Sequence, residues 1–319
     1  MRDLHLLWLG RNDEYRMTSH MRYLRKEAER RVKVTKYGWK WPGFTARDAL
    51  IPVEKYKPDA VFIAHYYDWV NLDKVDIPKL AWWSDPHTHT ARRIAWANEG
   101  KIDAVLHCCY GGKSKGMEYL EPVLSARSVL FPHSVDVDIV KDYNMPKIYD
   151  ALVVGRSGRG IYPLRYRMRL VLESLEAAGK YKVKWQRRPK VDYGWTEERL
   201  KLRELVAGES YAKLIGQSKV VPFGTSSYRY PVAKIFEVMA TNTLAMFGSP
   251  YNPELFHLVP DENFVEVDKD NFRDKFIYYV ENDVEREKIA QKGYDMVQKH
   301  HSTKVRITQL IKLIEEELG

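Results

Sequence analysis

A chain of 319 residues with 45% hydrophobic content is long for one core and comfortable for two domains of about 150 residues each. Its formal net charge of +9 suits nucleic acid, nucleotide-linked ligands or anionic lipid surfaces, and a basic surface kept for solubility explains it equally well. Cys108 and Cys109 are the only cysteines and adjoin each other, so neither a disulfide framework nor a zinc site has support, and a cytoplasmic setting is expected. No apolar run reaches the about 18 residues of a membrane span, and the N-terminus lacks a secretory apolar core. Aromatic residues are abundant, with 9 Trp and 21 Tyr, and such side chains stack on sugar rings and bases as well as filling cores.

In chain order, the first segment alternates strand and helix. Leu4–Leu9 predicts a strand ending at Gly10, and Thr18–Arg31 a helix capped by Thr18 or Ser19. Strands are expected at Val32–Tyr37 and at Ala60–Ala64, the latter a continuous apolar run of the kind buried in parallel sheets. Another strand spans Lys79–Trp83, a helix Thr90–Asn98, and two further strands Ala104–His107 and Ser128–Phe131. Repeated alternation without internal repeats argues for an open parallel sheet with helices on both faces.

A linker is expected over 137–148, and a second α/β segment follows. It has a strand at Ala151–Val154 and a helix at Leu164–Ala178 with Leu164, Met168, Leu172 and Leu175 on one face. A strand at Val183–Gln186 leads into Arg187, and the charged stretch that follows reads as helical from Glu197. Residues 219–248 then form the densest unit: strand Lys219–Phe223, a loop with Gly224, helix Val232–Thr241 and strand Leu244–Phe247. Ligands of parallel sheets sit where such strand ends meet helix N-termini. Ile235, Val238 and Met239 make an apolar stripe from which Glu237 departs, either as a solvated residue or as an acceptor for a ligand's hydroxyls. The terminal helix, Lys304–Leu318, is amphipathic.

Several strand-end loops carry chemistry-bearing residues. Gly155, Arg156, Gly158, Arg159 and Gly160 follow a strand, but their spacing is not the glycine fingerprint of dinucleotide binders, which counts against a nicotinamide oxidoreductase. Such a loop either offers backbone N–H groups and arginines to a pyrophosphate or is an ordinary turn. Asp85 and His87 follow a strand in the first segment, where a general base could sit, although Asp85 equally suits a helix cap. The segment 65–69 either supplies aromatic and polar groups to the same edge or is an aromatic cluster packing the domain edge. A nucleophile built from His107 with Cys108 or Cys109 lacks an orienting third group, and the two cysteines read as buried small hydrophobes.

The pattern K-x-F-E-x-x-A-x-x-T at 234–243, followed by an apolar strand, resembles the sugar-nucleotide signature of GT-B glycosyltransferases. ENFVEV at 262–267, NFRDKFIYYVEND at 271–283, EREKIAQKGYDMV at 285–297 and the HHS before the last helix follow in an order similar to the sporulation glycosyltransferase-like family of the CgeB type. The resemblance covers roughly residues 128–318, and FPHSVD at 131–136 resembles the segment closing the first GT-B domain. It implies two Rossmann-like domains with parallel sheets facing a cleft: an acceptor-side domain over 1–140, a donor domain over 141–302, and a helix over 303–319 returning to the first domain. It further implies a nucleotide-sugar co-substrate, UDP-linked by preference, with no other cofactor and no metal. On this reading Glu237 accepts the ribose hydroxyls, and Gly155, Arg156, Arg159, Arg187, Arg229, Lys234 and Thr241 complete the donor set. Arg229 stands where retaining enzymes of this build often carry a second Glu.

The expected function is transfer of a sugar to a hydroxyl of a glycan or small-molecule acceptor, with Asp85 or His87 as base. Two alternatives stand beside it. One is a phage-type enzyme glucosylating hydroxymethylated DNA, suggested by basic clusters at 22–36, 156–169 and 182–190. The other is a non-catalytic nucleotide-sugar or glycan-binding protein.

Overall fold

The computed structural model describes residues 3–15, 20–64, 68–85, 88–109, 120–155, 158–186 and 207–318. The cap residues Thr18 and Ser19 and the stretch expected to be helical from Glu197 lie outside them. The elements in order are β1 (His5–Leu9), α1 (His20–Glu29), β2 (Lys33–Tyr37), α2 (Leu50–Tyr56), β3 (Ala60–Ile63), β4 (Lys79–Trp83), α3 (Thr90–Glu99), β5 (Ala104–His107) and β6 (Arg127–Leu130). There follow β7 (Tyr149–Val154), α4 (Pro163–Ala177), β8 (Val183–Gln186), α5 (Gly208–Gly216), β9 (Ser218–Pro222), α6 (Ala233–Met239), β10 (Leu244–Phe247) and β11 (Val265–Glu266). Three helices close the chain: α7 (Phe272–Glu281), α8 (Asp283–His300) and α9 (Thr303–Leu318).

The chain divides into two compact units, one made of residues up to 132 together with those from 303 onward, the other of residues 133–302. The partition falls upstream of the expected 140/141 boundary. The reason is local: the Val135 N–H bonds the His301 carbonyl at 2.9 Å and Val135 bridges Ser302, which ties 133–140 to the second unit.

In the first unit six parallel strands run in the order β2-β1-β3-β4-β5-β6. Because side chains alternate along a strand, Leu6, Trp8, Phe62 and Leu80 face one side, covered by Met21 and Leu24 of α1 and by Ile307, Leu310 and Ile314 of α9. Leu7, Leu9, Val61 and Ala81 face the other, with Ala97 of α3. Each such side chain, fully buried, contributes about 1.5–3 kcal/mol. Where β1 and β2 end, Gly38 (φ +145°) lies so close that a Cβ there would sit 2.0 Å from the Gly10 carbonyl oxygen, so only glycine fits. Helix α2 carried no expectation. Its Pro52 falls in the first turn, where the missing N–H leaves no bond unmade, and Asp48 accepts the Leu50 N–H at 3.0 Å.

The second unit has five parallel strands in the order β11-β10-β9-β7-β8. Ala151, Val153, Val220, Leu244 and Met246 pack against Met168, Leu172 and Leu175 of α4 and against Phe272 and Phe276 of α7. Helix α6 buries Ile235, Phe236, Val238 and Met239. Strand order reverses direction between β7 and β9, which makes the carboxyl ends of those two strands the topological switch point of this sheet. Among the described residues no helix is long and apolar enough to cross a membrane.

Candidate functional site

Three charged side chains converge at that switch point. Lys234, in the first turn of α6, donates from Nζ to the Val154 carbonyl at the end of β7, at 2.6 Å. The next residue, Gly155, holds φ at +94°, and a Cβ built on it would lie 3.1 Å from Lys234 Nζ and 3.3 Å from Arg165 Nη1. Glycine is therefore required twice over, by backbone conformation and by the approach of two cations. Arg165, on the first turn of α4, is buried, donates from Nη2 to the Gly224 carbonyl at 2.7 Å and stacks 4.0 Å over the Tyr162 ring. Glu237 lies one turn beyond Lys234.

Burial dominates the electrostatics here. Desolvation brings the Lys234 ammonium down to about 7, aided by repulsion from Arg165 and opposed by Glu237. Desolvation likewise lowers Arg165 and raises Glu237, the latter against the pull of Lys234 and His133. Tyr211, buried on α5, is raised first by desolvation and then by Glu237. The Glu237 carboxylate makes no hydrogen bond and no ion pair within 4.0 Å with any described residue. Lys234 thus lies between a second cation, Arg165, and a carboxylate whose acceptor capacity is unused by any described residue. Such a cluster favours an added anion beside the cations and hydroxyl donors beside Glu237.

A cavity of about 690 Å³ is lined by Gly224 and by Leu164, the neighbour of Arg165 in the chain. Its floor includes Tyr162, Leu164, Tyr166 and Val267, and its rim carries Arg159, Arg167 and Arg229. The structure therefore separates the expected donor residues. Gly155, Lys234 and Glu237 come together at the switch point. Arg159 and Arg229 line the cavity, Arg159 bonding the Tyr166 hydroxyl at 2.6 Å and Arg229 donating from Nε to the Ser249 carbonyl at 3.0 Å. Thr241 is 1% exposed, and its hydroxyl donates to the Val238 carbonyl at 2.8 Å, inside the end of α6. Arg156 and Arg187 lie outside the described residues.

In the first unit, Asp85 follows β4 and is exposed; its carboxylate accepts the Ser84 hydroxyl at 3.0 Å and its carbonyl accepts from Arg93 at 2.7 Å. It does not cap α3, whose N-cap position is His89 without a side-chain cap. His87 lies outside the described residues, as does most of the aromatic segment after β3. Cys108 and Cys109 are each 1% exposed, as small buried residues should be. His107, fully buried, meets the Cys109 carbonyl at 2.8 Å and the Ser128 hydroxyl at 3.0 Å, and desolvation takes it down to about 4. Most cations of the basic cluster at 22–36 have carboxylate partners: Arg25 pairs with Asp13, Glu14 and Glu29, Arg30 and Arg31 with Glu27, and Lys36 with Glu29. Among the described residues no three His, Cys, Asp or Glu side chains gather to hold a metal ion.

Arg165 is the candidate site residue that sequence reasoning missed. Its signal was present, because positions 165, 168, 172 and 175 share one helical face and the other three are apolar. A cation on the buried stripe, at a helix N-terminus beside a strand-end glycine, is a side chain placed for a reason other than solubility.

Residues 165–312 match the glycosyl transferase-like family model. Sucrose-phosphate synthase from Thermosynechococcus elongatus superposes with a TM-score of 0.68 at 13% identity, covering 98% of each chain. HepE of Anabaena, solved with UDP and glucose, gives 0.66 at 10% identity over 97% of this chain and 99% of that one. A glycosyltransferase from Rickettsia africae gives 0.62 at 12% identity with full coverage of both. The fold is GT-B. No curated protein matches this chain in sequence. Within a GT-B chain, the cluster of Gly155, Arg165, Lys234 and Glu237 occupies the carboxyl edge of the second Rossmann-like sheet.

Proposed function

We propose that this GT-B protein is a glycosyltransferase that moves a sugar from a nucleotide-sugar, UDP-linked by preference, to a hydroxyl of a glycan or small-molecule acceptor. The observation that carries the reading is the unpartnered Glu237 carboxylate beside two desolvated cations. Glu237 accepts the ribose hydroxyls, and Lys234 and Arg165 take the diphosphate. Lys234 gives one of its three protons to the Val154 carbonyl, which aims the ammonium and leaves two donors for phosphate oxygens. In the reaction the anomeric carbon–oxygen bond to the diphosphate breaks as the acceptor oxygen bonds that carbon. The nucleoside diphosphate leaves with the electron pair, and the acceptor's proton passes to a base, for which Asp85 is the first choice. Cations fixed beforehand at the departing diphosphate stabilise charge that grows in the transition state.

The match of residues 165–312 to a glycosyltransferase-like model and the fold shared with a protein solved with UDP and glucose both support this reading. The order of motifs described above favours the CgeB-type branch. A glycan or small-molecule acceptor is preferred over DNA because the basic cluster at 22–36 is largely paired with carboxylates. Titration calorimetry with UDP-, GDP- and ADP-glucose, followed by a transfer assay with the best binder, tests the proposal. Saturable binding that is lost in Glu237→Ala is expected. Absence of binding by all three, or binding indifferent to Glu237, overturns it.

A further inference from the structure

The cavity beside Arg165 has a chemistry of its own. Its floor of Tyr162, Leu164, Tyr166 and Val267 is apolar, and Leu170, 39% exposed, extends that surface to the mouth. Its rim is cationic in excess, with Arg159, Arg167 and Arg229 against Glu266 and Asp268, while Lys269 pairs with Asp270 at 2.7 Å. Both carboxylates are engaged: Glu266 accepts the Ser249 N–H at 3.3 Å, and Asp268 accepts the N–H groups of Asp270 and Asn271 at 2.8 Å each. Arg167, by contrast, is exposed and makes no hydrogen bond or ion pair with any described residue. The 15-residue helix α4 also starts at this cavity, with Tyr162 as its N-cap and no side-chain cap, so the positive end of its dipole faces the same space.

We propose that this cavity binds an amphipathic anion, a phosphate carrying an alkyl or aryl body. The phosphate sits at Arg167 and the start of α4, and the body lies on the floor formed by Tyr162, Tyr166 and Val267. A volume of about 690 Å³ falls within the range of small-molecule sites, and an apolar lining with a few convergent polar groups is their usual composition. The site is distinct from the nucleotide cluster, since none of Gly155, Arg165, Lys234 and Glu237 is among its lining residues. It therefore goes beyond the donor reading and does not depend on it.

Octyl phosphate and phenyl phosphate serve as probes, with inorganic phosphate and n-octanol as controls, each titrated by calorimetry into the full chain. The organic phosphates are expected to bind at least about tenfold tighter than either control, and the tighter of the two identifies an alkyl or an aryl body. Arg167→Ala should weaken the organic phosphates about tenfold and leave octanol unchanged. Leu170→Asp should weaken octyl phosphate by a similar factor and leave inorganic phosphate unchanged. Both positions are exposed, so neither change endangers folding. Glu237→Ala, which addresses the donor reading, should not alter octyl phosphate binding, and UDP-glucose affinity should survive both cavity variants. Inorganic phosphate binding as tightly as octyl phosphate, or both variants binding octyl phosphate like the parent protein, overturns the assignment.

Discussion

The two units handle charge withdrawn from solvent in opposite ways, fully buried at Arg25 and half-buried at Lys234 and Glu237. In the first unit Arg25, 1% exposed, directs its guanidinium to Asp13 at 2.7 Å, Glu14 at 2.6 Å and Glu29 at 2.8 Å, with the Trp41 ring 5.1 Å away. In the second, Lys234 makes one hydrogen bond to a carbonyl, and Glu237 makes none with any described residue. The electrostatics follow: at Arg25 desolvation is the largest single influence, yet Asp13, Glu29 and Glu14 together overcome it and raise the guanidinium, whereas desolvation prevails at Arg165 and Lys234 and lowers both. A buried charge with its partners inside the chain holds the fold together. One that lacks them costs folding free energy, and its retention points to a partner from outside.

The largest test of that contrast is stability. Arg25→Ala leaves Asp13, 2% exposed, as a buried carboxylate without its cation, and breaking such a pair costs about 3–5 kcal/mol. Glu237→Ala removes a carboxylate that makes no hydrogen bond or close ion pair with any described residue, and should change stability by no more than about 0.5 kcal/mol. Chemical denaturation measures both. Equal losses in the two variants would abolish the distinction between the regions.

A second test sharpens it from the first unit alone. The unfolded chain protonates His107 near its ordinary 6.5, while the folded chain does so only at about 4. Between those values the unfolded state binds more protons, so stability falls as pH drops through the window and levels off below it. The span amounts to about 3 kcal/mol at most. His107→Asn should flatten the profile between pH 6.5 and 4; an unchanged slope would show that other groups carry it.

For the second unit the corresponding quantity is ligand affinity. A hydrogen bond to a charged acceptor contributes about 1.5–3 kcal/mol, so Glu237→Ala should weaken UDP-glucose roughly ten- to a hundred-fold. Arg25→Ala, measured at a temperature where it remains folded, should leave that affinity alone. If the two variants lose affinity alike, Glu237 acts through the fold and not by contact.

Most of the architecture was legible because parallel strands buried on both faces read as short apolar runs: AVFI of β3 and LAMF of β10 each lie within one residue of where the sequence put them. Helix α2 was not legible, since seven residues opening with a proline in the first turn show no apolar period long enough to register. Within the site, Glu237 stood out as a charge between buried Phe236 and Val238. Arg165 was hidden because its role depends on Gly155 and Gly224, which follow β7 and β9 and meet it only after the sheet has formed. The surroundings of Arg229 were not legible either: spacing from Glu237 suggested a place beside the donor, and only the fold shows its left-handed backbone, φ 51°, its bond to the Ser249 carbonyl and its place in the cavity lining.

The smallest expected effect is also the one with the most specific signature. Lys234, facing Arg165 and Glu237, titrates near 7 in the folded chain and near 10.5 when unfolded. Between these values the unfolded chain holds the extra proton, so this residue makes stability rise with pH. Donor binding must run the other way. A diphosphate beside Lys234 favours the ammonium, so binding takes up a proton once the free site is neutral. Affinity should then fall by up to about tenfold, or 1.4 kcal/mol, per pH unit above about 7, until the pH reaches the raised value of the complex. UDP-glucose is the suitable probe because its diphosphate is doubly esterified and does not itself titrate there. Calorimetry at pH 7, 8 and 9 in buffers of different ionisation enthalpy reads both the affinity and the proton uptake. Lys234→Met should flatten the affinity profile, abolish the uptake and stabilise the free protein. A parent protein whose affinity is level from pH 7 to 9, with no proton taken up, would mean that Lys234 does not meet the diphosphate, and would leave Arg165 as the only cation of the cluster available to it.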